Sequence, residues 1–266
     1  MEVNGLNSNI ASANNAHNTS LERLSSNNSI NKASDDASGL VISDSINHQR
    51  SELSQSLQNL NSGIALTRIA SDGLEAQKEL LGDIREKLLQ ANTDTTSVEG
   101  KEAIKQETLK LTEQFKVISE TTKFSGQNLI TSNTSGETLD ISTSEDTISV
   151  EVPTTGQIAN DLTTLISNTN FANGDIGAII DRVDLVTDEL SSSLSDFGSA
   201  QNQLESSARN TITAEVNMSK ANSNLTDIDF GKEITDFSKA NILTQIGYLV
   251  STQANAQQEQ NLKLLV

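Results

Sequence analysis

The sequence predicts a mainly α-helical chain: a long antiparallel helical bundle or coiled coil formed by the N- and C-terminal halves, with one small β-hairpin in the middle. Three observations point there. Apolar residues recur at spacings of mostly three or four over residues 42–88 and again over 176–216, one face of a helix in each case. The chain has a single proline, Pro153, so nothing breaks those runs. The hydrophobic fraction is only 34%, aromatics are 3% and tryptophan is absent. Such a composition can bury aliphatic stripes but not a thick, round core, and helices zipped along narrow seams need the least core per residue.

The elements follow in order. Val3, Leu6, Ile10, Ala13, Leu21 and Leu24 mark a first helix whose other faces carry Asn and Ser, poor helix formers. It should be helical only when packed. Residues 25–39 cluster Asn, Ser, Asp and Gly and read as a loop. A rod then runs through Ile42, Ile46, Leu53, Leu57, Leu60, Ile64, Ala70, Leu74, Leu81, Ile84 and Leu88, with Gln49, Thr67 and Gln77 filling gaps in the seam. Residues 91–100 interrupt it, and a second helix carries Ile104, Leu111, Phe115 and Ile118 on one face. Residues 122–130 contain a Gly-centred turn. Alternation at Leu139, Ile141, Ile148, Val150 and Val152 reads as the one hairpin, ended by Pro153. Residues 154–174 are polar, with a short apolar piece at Leu162, Leu165 and Ile166. A third long helix follows through Ile176, Val183, Leu190, Leu194, Phe197, Leu204 and Val216. After a loop at 223–231 the last helix carries Ile234, Phe237, Leu243, Ile246, Val250, Ala254, Leu262 and Leu265.

Charge sorts the chain by partner. Thirty-six acids against 18 bases leave a formal charge of −18, and no basic patch is present, which argues against nucleic acid. No stretch reaches the roughly 20 apolar residues of a membrane span, so no membrane partner is expected. The first residues lack the basic and apolar regions of a secretory signal. The expectation is therefore a cytoplasmic protein or one exported without a cleavable signal. Cysteine is absent, which excludes disulfides and thiol chemistry.

No catalytic, cofactor or metal constellation stands out, and the chain reads as a non-enzyme. His17 and His48 have no second histidine at ligand spacing, and Asp35–Asp36 lie in a turn, where carboxylates cap or face water. The unusual feature is the end. Residues 240–258 carry no charge, and residues 1–20 carry only Glu2. A helix with no charged face is normally surrounded. One chain supplies one neighbouring helix, so the remaining neighbours are expected to be other copies. The bottom-up reading is a homopolymer with both termini at its centre.

Several segments then carry a resemblance. LERLSSNNSINKASDDASG, residues 21–39, resembles the N-terminal signature of bacterial flagellins. Residues 59–93 resemble the long helix that follows in that family, SETTKFSGQNLI at 119–130 its turn before the hairpin, and residues 217–266 its C-terminal signature. The family's usual Gly-Leu-Arg in the first loop is Asn27-Asn28-Ser29 here; Asn tolerates the left-handed conformation, but an arginine contact is lost.

The resemblance implies a short, secreted, extracellular filament subunit with little or no variable outer domain. Residues 1–40 and 223–266 would form the inner-tube coiled coil, 41–130 and 175–222 the outer-tube bundle, and 131–174 a hairpin with a variable surface segment. Val3, Leu6, Ile10, Leu21, Leu24, Leu243, Ile246, Val250, Ala254, Leu262 and Leu265 would serve inner-core self-assembly. Leu53, Leu57, Leu60, Ile64, Leu81, Ile84, Leu88, Ile104, Leu111, Leu190, Leu194, Phe197 and Leu204 would serve the outer bundle and subunit packing. Implied partners are other copies, the flagellar type III export apparatus, an export chaperone, the filament cap and hook-junction proteins. Flagellins sensed by the vertebrate innate-immune flagellin receptor typically carry R-V-R-E-L in the first long helix. Asp83, Ile84, Arg85, Glu86 and Lys87 match that stretch. Arg85, Glu86, Gln90 and Glu107 fit the pattern, whereas Asp83 reverses a charge and Lys87 replaces an apolar contact, so weak recognition is expected. The alternatives are a hook–filament junction protein and a secreted coiled-coil binding module.

Overall fold

The computed structural model describes residues 2–131, 136–143, 146–173 and 175–265. Six helices dominate: α1 (Glu2–Ser26), α2 (Ala37–Ala91), α3 (Val98–Thr121), α4 (Thr155–Asn168), α5 (Ile176–Thr226) and α6 (Phe230–Leu265). Two small antiparallel hairpins lie between α3 and α4. One pairs β1 (Lys123–Phe124) with β2 (Gln127–Asn128), the other β3 (Thr138–Ser142) with β4 (Thr147–Glu151). The chain divides into a terminal unit, residues 1–51 with 215–266, and a middle unit, residues 52–214.

Three expectations are corrected. The middle holds two hairpins rather than one. Ser125 and Gly126 both have positive φ, 50° and 86°, so the Gly-centred turn is the tight type that closes two strands. Two-residue strands are too short to show alternation, which is why the sequence pattern misses them. The second correction is α4. The segment read as low in pattern is a 14-residue helix that buries Ile158, Ala159, Leu162 and Ile166. Threonine and asparagine between those positions hide a regular four-residue spacing. Third, the loop read at 223–231 shrinks to 227–229, because α5 continues to Thr226 and α6 starts at Phe230. Asp229 stops the gap there: its Oδ1 accepts from the Lys232 N–H at 3.1 Å, an N-cap bond.

In the middle unit α2 and α5 run antiparallel. Arg68 meets Glu205 and Arg85 meets Asp184, so partner numbers fall as chain numbers rise. Leu60, Leu74, Leu81, Ile84 and Leu88 of α2 are fully buried with Phe115 of α3 and Val183, Val186, Leu190, Phe197 and Leu204 of α5. Helix α4 closes the unit against α3. Lys105 reaches across, its ammonium donating to the carbonyls of Ser167 and Thr169 at 2.9 Å each, so a cation covers the C-terminal end of α4. The hairpin β3–β4 comes close to α2 at Gly63, where a Cβ would sit 2.9 Å from the Ile141 side chain. Polar seam residues donate their hydrogen bonds to nearby backbone. Thr67, Thr108 and Thr112 donate to carbonyls three or four residues back. The buried Gln77 amide donates to the Phe115 carbonyl at 3.1 Å. Near the start of α2 the seam shifts by one residue: Ile42 is exposed, while Ser43 is buried and donates to Asn222 at 2.8 Å within the terminal unit.

Truncating Phe115 to alanine removes a fully buried ring from the centre of the middle unit. The expected loss is about 3–5 kcal/mol of unfolding free energy, measured by urea denaturation of the monomer.

Candidate self-assembly surface

The terminal unit is built on α1 and α6, which run antiparallel. Ile10 packs on Gly247, where a Cβ would stand 2.6 Å from Ile10 Cγ1. The missing side chain is what lets the helices approach, at a propensity cost of about 1 kcal/mol relative to alanine. The His17 ring lies 4.6 Å from that of Phe237, and Asn14 donates to the Tyr248 hydroxyl at 3.3 Å. Ser20 and Ala240 are buried along the same line. The contact is thus made of small and polar residues as much as of aliphatic ones.

The large apolar residues of α6 point elsewhere. Leu243 and Ile246 are each 50% exposed, and Leu249 is 69% exposed. Ile234, Ile242, Tyr248 and Val250 are exposed too. The positions 242, 246 and 249 make one stripe and 243, 246 and 250 another, so apolar surface wraps most of the helix. Each such aliphatic side chain would be favoured by roughly 1.5–3 kcal/mol on leaving water. Patches of this extent on a soluble chain mark contact surfaces. Of the terminal residues singled out in the sequence, Ile10 is buried, Leu24 and Ala254 are half-buried, and Leu21, Leu243, Ile246 and Val250 are exposed. The side chains of Val3, Leu6, Leu262 and Leu265 lie outside the described residues.

The loop between α1 and α2 is closely held. Asn27 adopts φ 59°, the left-handed cap that the sequence allowed for. Ser29 donates through N–H to the Thr226 carbonyl at 2.6 Å, tying the loop to the end of α5. Asp35 accepts from the N–H groups of Asn31 and Lys32 at 3.0 Å each, and these donors hold its carboxyl below the usual range.

In the middle unit the residues read as bundle and packing positions serve the chain's own core. Leu60, Leu81, Ile84, Leu88, Ile104, Leu190, Phe197 and Leu204 are buried, and Leu53, Leu57, Ile64, Leu111 and Leu194 are half-buried. The outward apolar residues are others: Ile69, Leu89, Val98, Val117, Leu185 and Ile212. They lie off the periodic seam, so helical periodicity alone does not mark them. On the receptor-like stretch, Asp83, Glu86 and Gln90 are exposed. Arg85 Nε pairs with Asp184 Oδ1 at 2.6 Å, and Lys87 Nζ with Glu107 Oε1 at 2.9 Å. The hydrogen bond and charge of Glu107 hold the Lys87 ammonium above its ordinary pKa. Among the described residues there is no cluster of metal-binding side chains, and no helix is long and apolar enough to cross a membrane.

Residues 1–135 match the bacterial flagellin N-terminal helical region, and residues 180–265 match the bacterial flagellin C-terminal helical region. A flagellin of Halalkalibacterium halodurans is 31% identical over 255 residues, covering 92% of this chain and 90% of its own. The chain belongs to the bacterial flagellin family. A flagellin of Bacillus subtilis is 30% identical over 288 residues, covering 96% of this flagellin and 95% of its own length. Among solved structures, a putative flagellar hook-associated protein from Vibrio parahaemolyticus superposes with a TM-score of 0.63 at 12% identity, over 73% of this flagellin and 100% of the other chain. That likeness concerns the fold alone.

Replacing Leu243 with serine removes a half-exposed aliphatic group that borders the α1–α6 contact beside Ala13 and Ala16. Monomer stability should fall by about 1 kcal/mol at most, the half of the side chain already buried. The critical concentration for polymerisation, read by sedimentation, should rise about tenfold, as loss of one buried leucine contact implies.

Proposed function

We infer that this flagellin is a structural, non-enzymatic subunit that self-polymerises into the extracellular filament of the bacterial flagellum and serves swimming motility. The observation that carries the reading is α6, uncharged over residues 240–258 and apolar on faces that α1 does not cover. Other copies bury those faces. Ile10, Leu21, Leu24, Leu243, Ile246, Val250 and Ala254, with Val3, Leu6, Leu262 and Leu265 from the chain ends, then line the filament's inner tube. The bundle of α2, α3 and α5 forms the outer tube, its seam residues holding each subunit rigid while its outward side chains meet neighbours. The burial term, about 25 cal/mol per Å² of apolar surface, is repeated at every identical contact. The family resemblance further supports export by the flagellar type III apparatus with a dedicated chaperone, and contacts with the filament cap and hook-junction proteins.

Negative-stain microscopy after addition of a precipitating salt tests this directly. The full chain should give long uniform tubes, and a chain truncated after Asn241 none. Soluble small oligomers from both would discard the polymer reading in favour of a junction protein or binding module.

A second proposal concerns the stretch around Asp83. The Arg85 guanidinium is engaged by Asp184, and Lys87 by Glu107, on a surface where Asp83 adds a negative charge. A receptor suited to an arginine at position 83 and an apolar residue at 87 would meet the opposite charge and a solvated ammonium. Purified monomer should therefore signal weakly in a receptor reporter cell line, and the Asp83→Arg, Lys87→Leu double variant should signal more strongly. Strong signalling by the unmodified chain would remove the proposal.

A further inference from the structure

Helices α2 and α3 leave an open groove of about 520 Å³ between them in the middle unit. Leu80 of α2 with Val117 and Ile118 of α3 forms its apolar part, and Val117 is 47% exposed. Its lining also carries three carboxylates, Glu79, Asp83 and Glu113, all exposed, and no base. The acids of α2 belong to a longer run. Asp72, Glu75, Glu79, Asp83 and Glu86 are all exposed at spacings of three or four residues, which is one face of the helix. Floor and rim are therefore both open to a second molecule. A partner must bring an aliphatic group for the floor and a cation for the rim, because carboxylates that lose water need an opposite charge.

The chain itself offers that combination. Among the described residues of the middle unit, four outward aliphatic side chains have a base about one helical turn away: Leu89 with Arg85, Val98 with Lys101, Leu185 with Arg182 and Ile212 with Arg209. Arg85 is engaged by Asp184 at 2.6 Å, and Lys101 and Arg182 are half-buried. The Arg209 side chain, in contrast, is 70% exposed, and its ion pair with Glu205 is long, 3.9 Å. Glu205 already receives Arg68 at 3.2 Å and the Gln201 amide at 3.1 Å. Ile212 is 46% exposed and three residues further on, so it shares a face of α5 with Arg209.

We propose that the α2–α3 groove receives the Arg209–Ile212 turn of α5 from a second copy of this chain. Ile212 covers Leu80 and Val117, and the Arg209 guanidinium meets the acidic rim. This rests on the polymer reading above and adds a contact in the middle unit to the one that α6 supplies. Groove and knob are different patches, so the contact is heterologous. Such contacts can run on from copy to copy, whereas a two-fold contact closes as a dimer. Apolar burial attracts without choosing a partner patch. The rim makes the choice, since opposite charges favour knob on groove and like charges penalise groove on groove.

The test compares four full-length chains: unmodified, Arg209→Glu, the groove variant Glu79→Arg with Glu113→Arg, and the combination of all three substitutions. Every altered position is exposed, so the urea midpoint of each monomer should stay close to that of the unmodified chain. Filaments are formed in precipitating salt and returned to about 0.1 M ionic strength, where charges in contact still interact. The soluble remainder, read by sedimentation, gives the critical concentration. Reversal on either side alone sets like charges across the contact and should raise it about tenfold. The combination restores opposite charges and should return it to within about threefold of the unmodified value. Reversals without effect, or a combination no better than either side alone, would overturn the contact, while tubes from the unmodified chain keep the polymer reading. An unmodified chain that forms no tubes would remove both.

Discussion

The last helix sets the terms for the rest of the molecule. Nineteen residues without a charge, 240–258, present aliphatic side chains around most of a helix. Its partner α1 covers only a narrow line, along Ile10, His17 and Ser20. Water cannot solvate the remainder favourably, and among the described residues Leu243, Ile246, Leu249 and Val250 stay exposed. The hydrophobic effect is non-directional and scales with area, so the same deficit that leaves a single chain incomplete drives many copies together. A weak, Asn- and Ser-rich α1 suits this arrangement, because the helices gain their order from packing rather than from propensity.

The middle unit follows the opposite rule. Its seam is closed within one chain by fully buried Leu, Ile, Val and Phe from α2, α3 and α5. Its polar seam residues return their hydrogen bonds to the backbone, and Gln77 anchors α2 on α3 through the Phe115 carbonyl. Charged side chains stay outside and pair across helices, as Arg68 with Glu205 and Arg85 with Asp184. Exposed pairs of this kind are screened by solvent and contribute little. The middle unit is therefore held by burial. One chain thus combines a unit whose apolar seam is closed within the chain with one whose apolar stripes are left exposed.

Much of this was legible beforehand, and the exceptions have definite causes. The long helices could be read because Leu and Ile recur with a helical period over many turns. The first loop could be read from its Asn, Asp and Gly cluster, and the left-handed Asn27 follows from what Asn tolerates. Helix α4 escaped notice because threonines dilute its stripe at Ile158, Leu162 and Ile166. The β1–β2 hairpin escaped because its strands are two residues long. For the assembly surface, periodicity identified apolar residues on the terminal helices but not which of them face the chain's own partner. Ile10 turned inward and Leu243 outward although both belong to the same kind of stripe.

The amino-acid order by itself determined the helical class, the long rods, the uncharged ends and the absence of disulfide chemistry, since each depends on local propensity, period or composition. It also determined family membership, through motifs kept in order at both ends. Only the tertiary structure decided which side of each helix is spent within the chain. That choice depends on the rotation of one helix about its axis against another, and here it turns on Gly247 admitting Ile10 and on His17 meeting Phe237. It likewise brought Glu79 and Glu113, apart in sequence, to the walls of one groove. Such pairings arise from contacts between distant segments, and no local pattern encodes them.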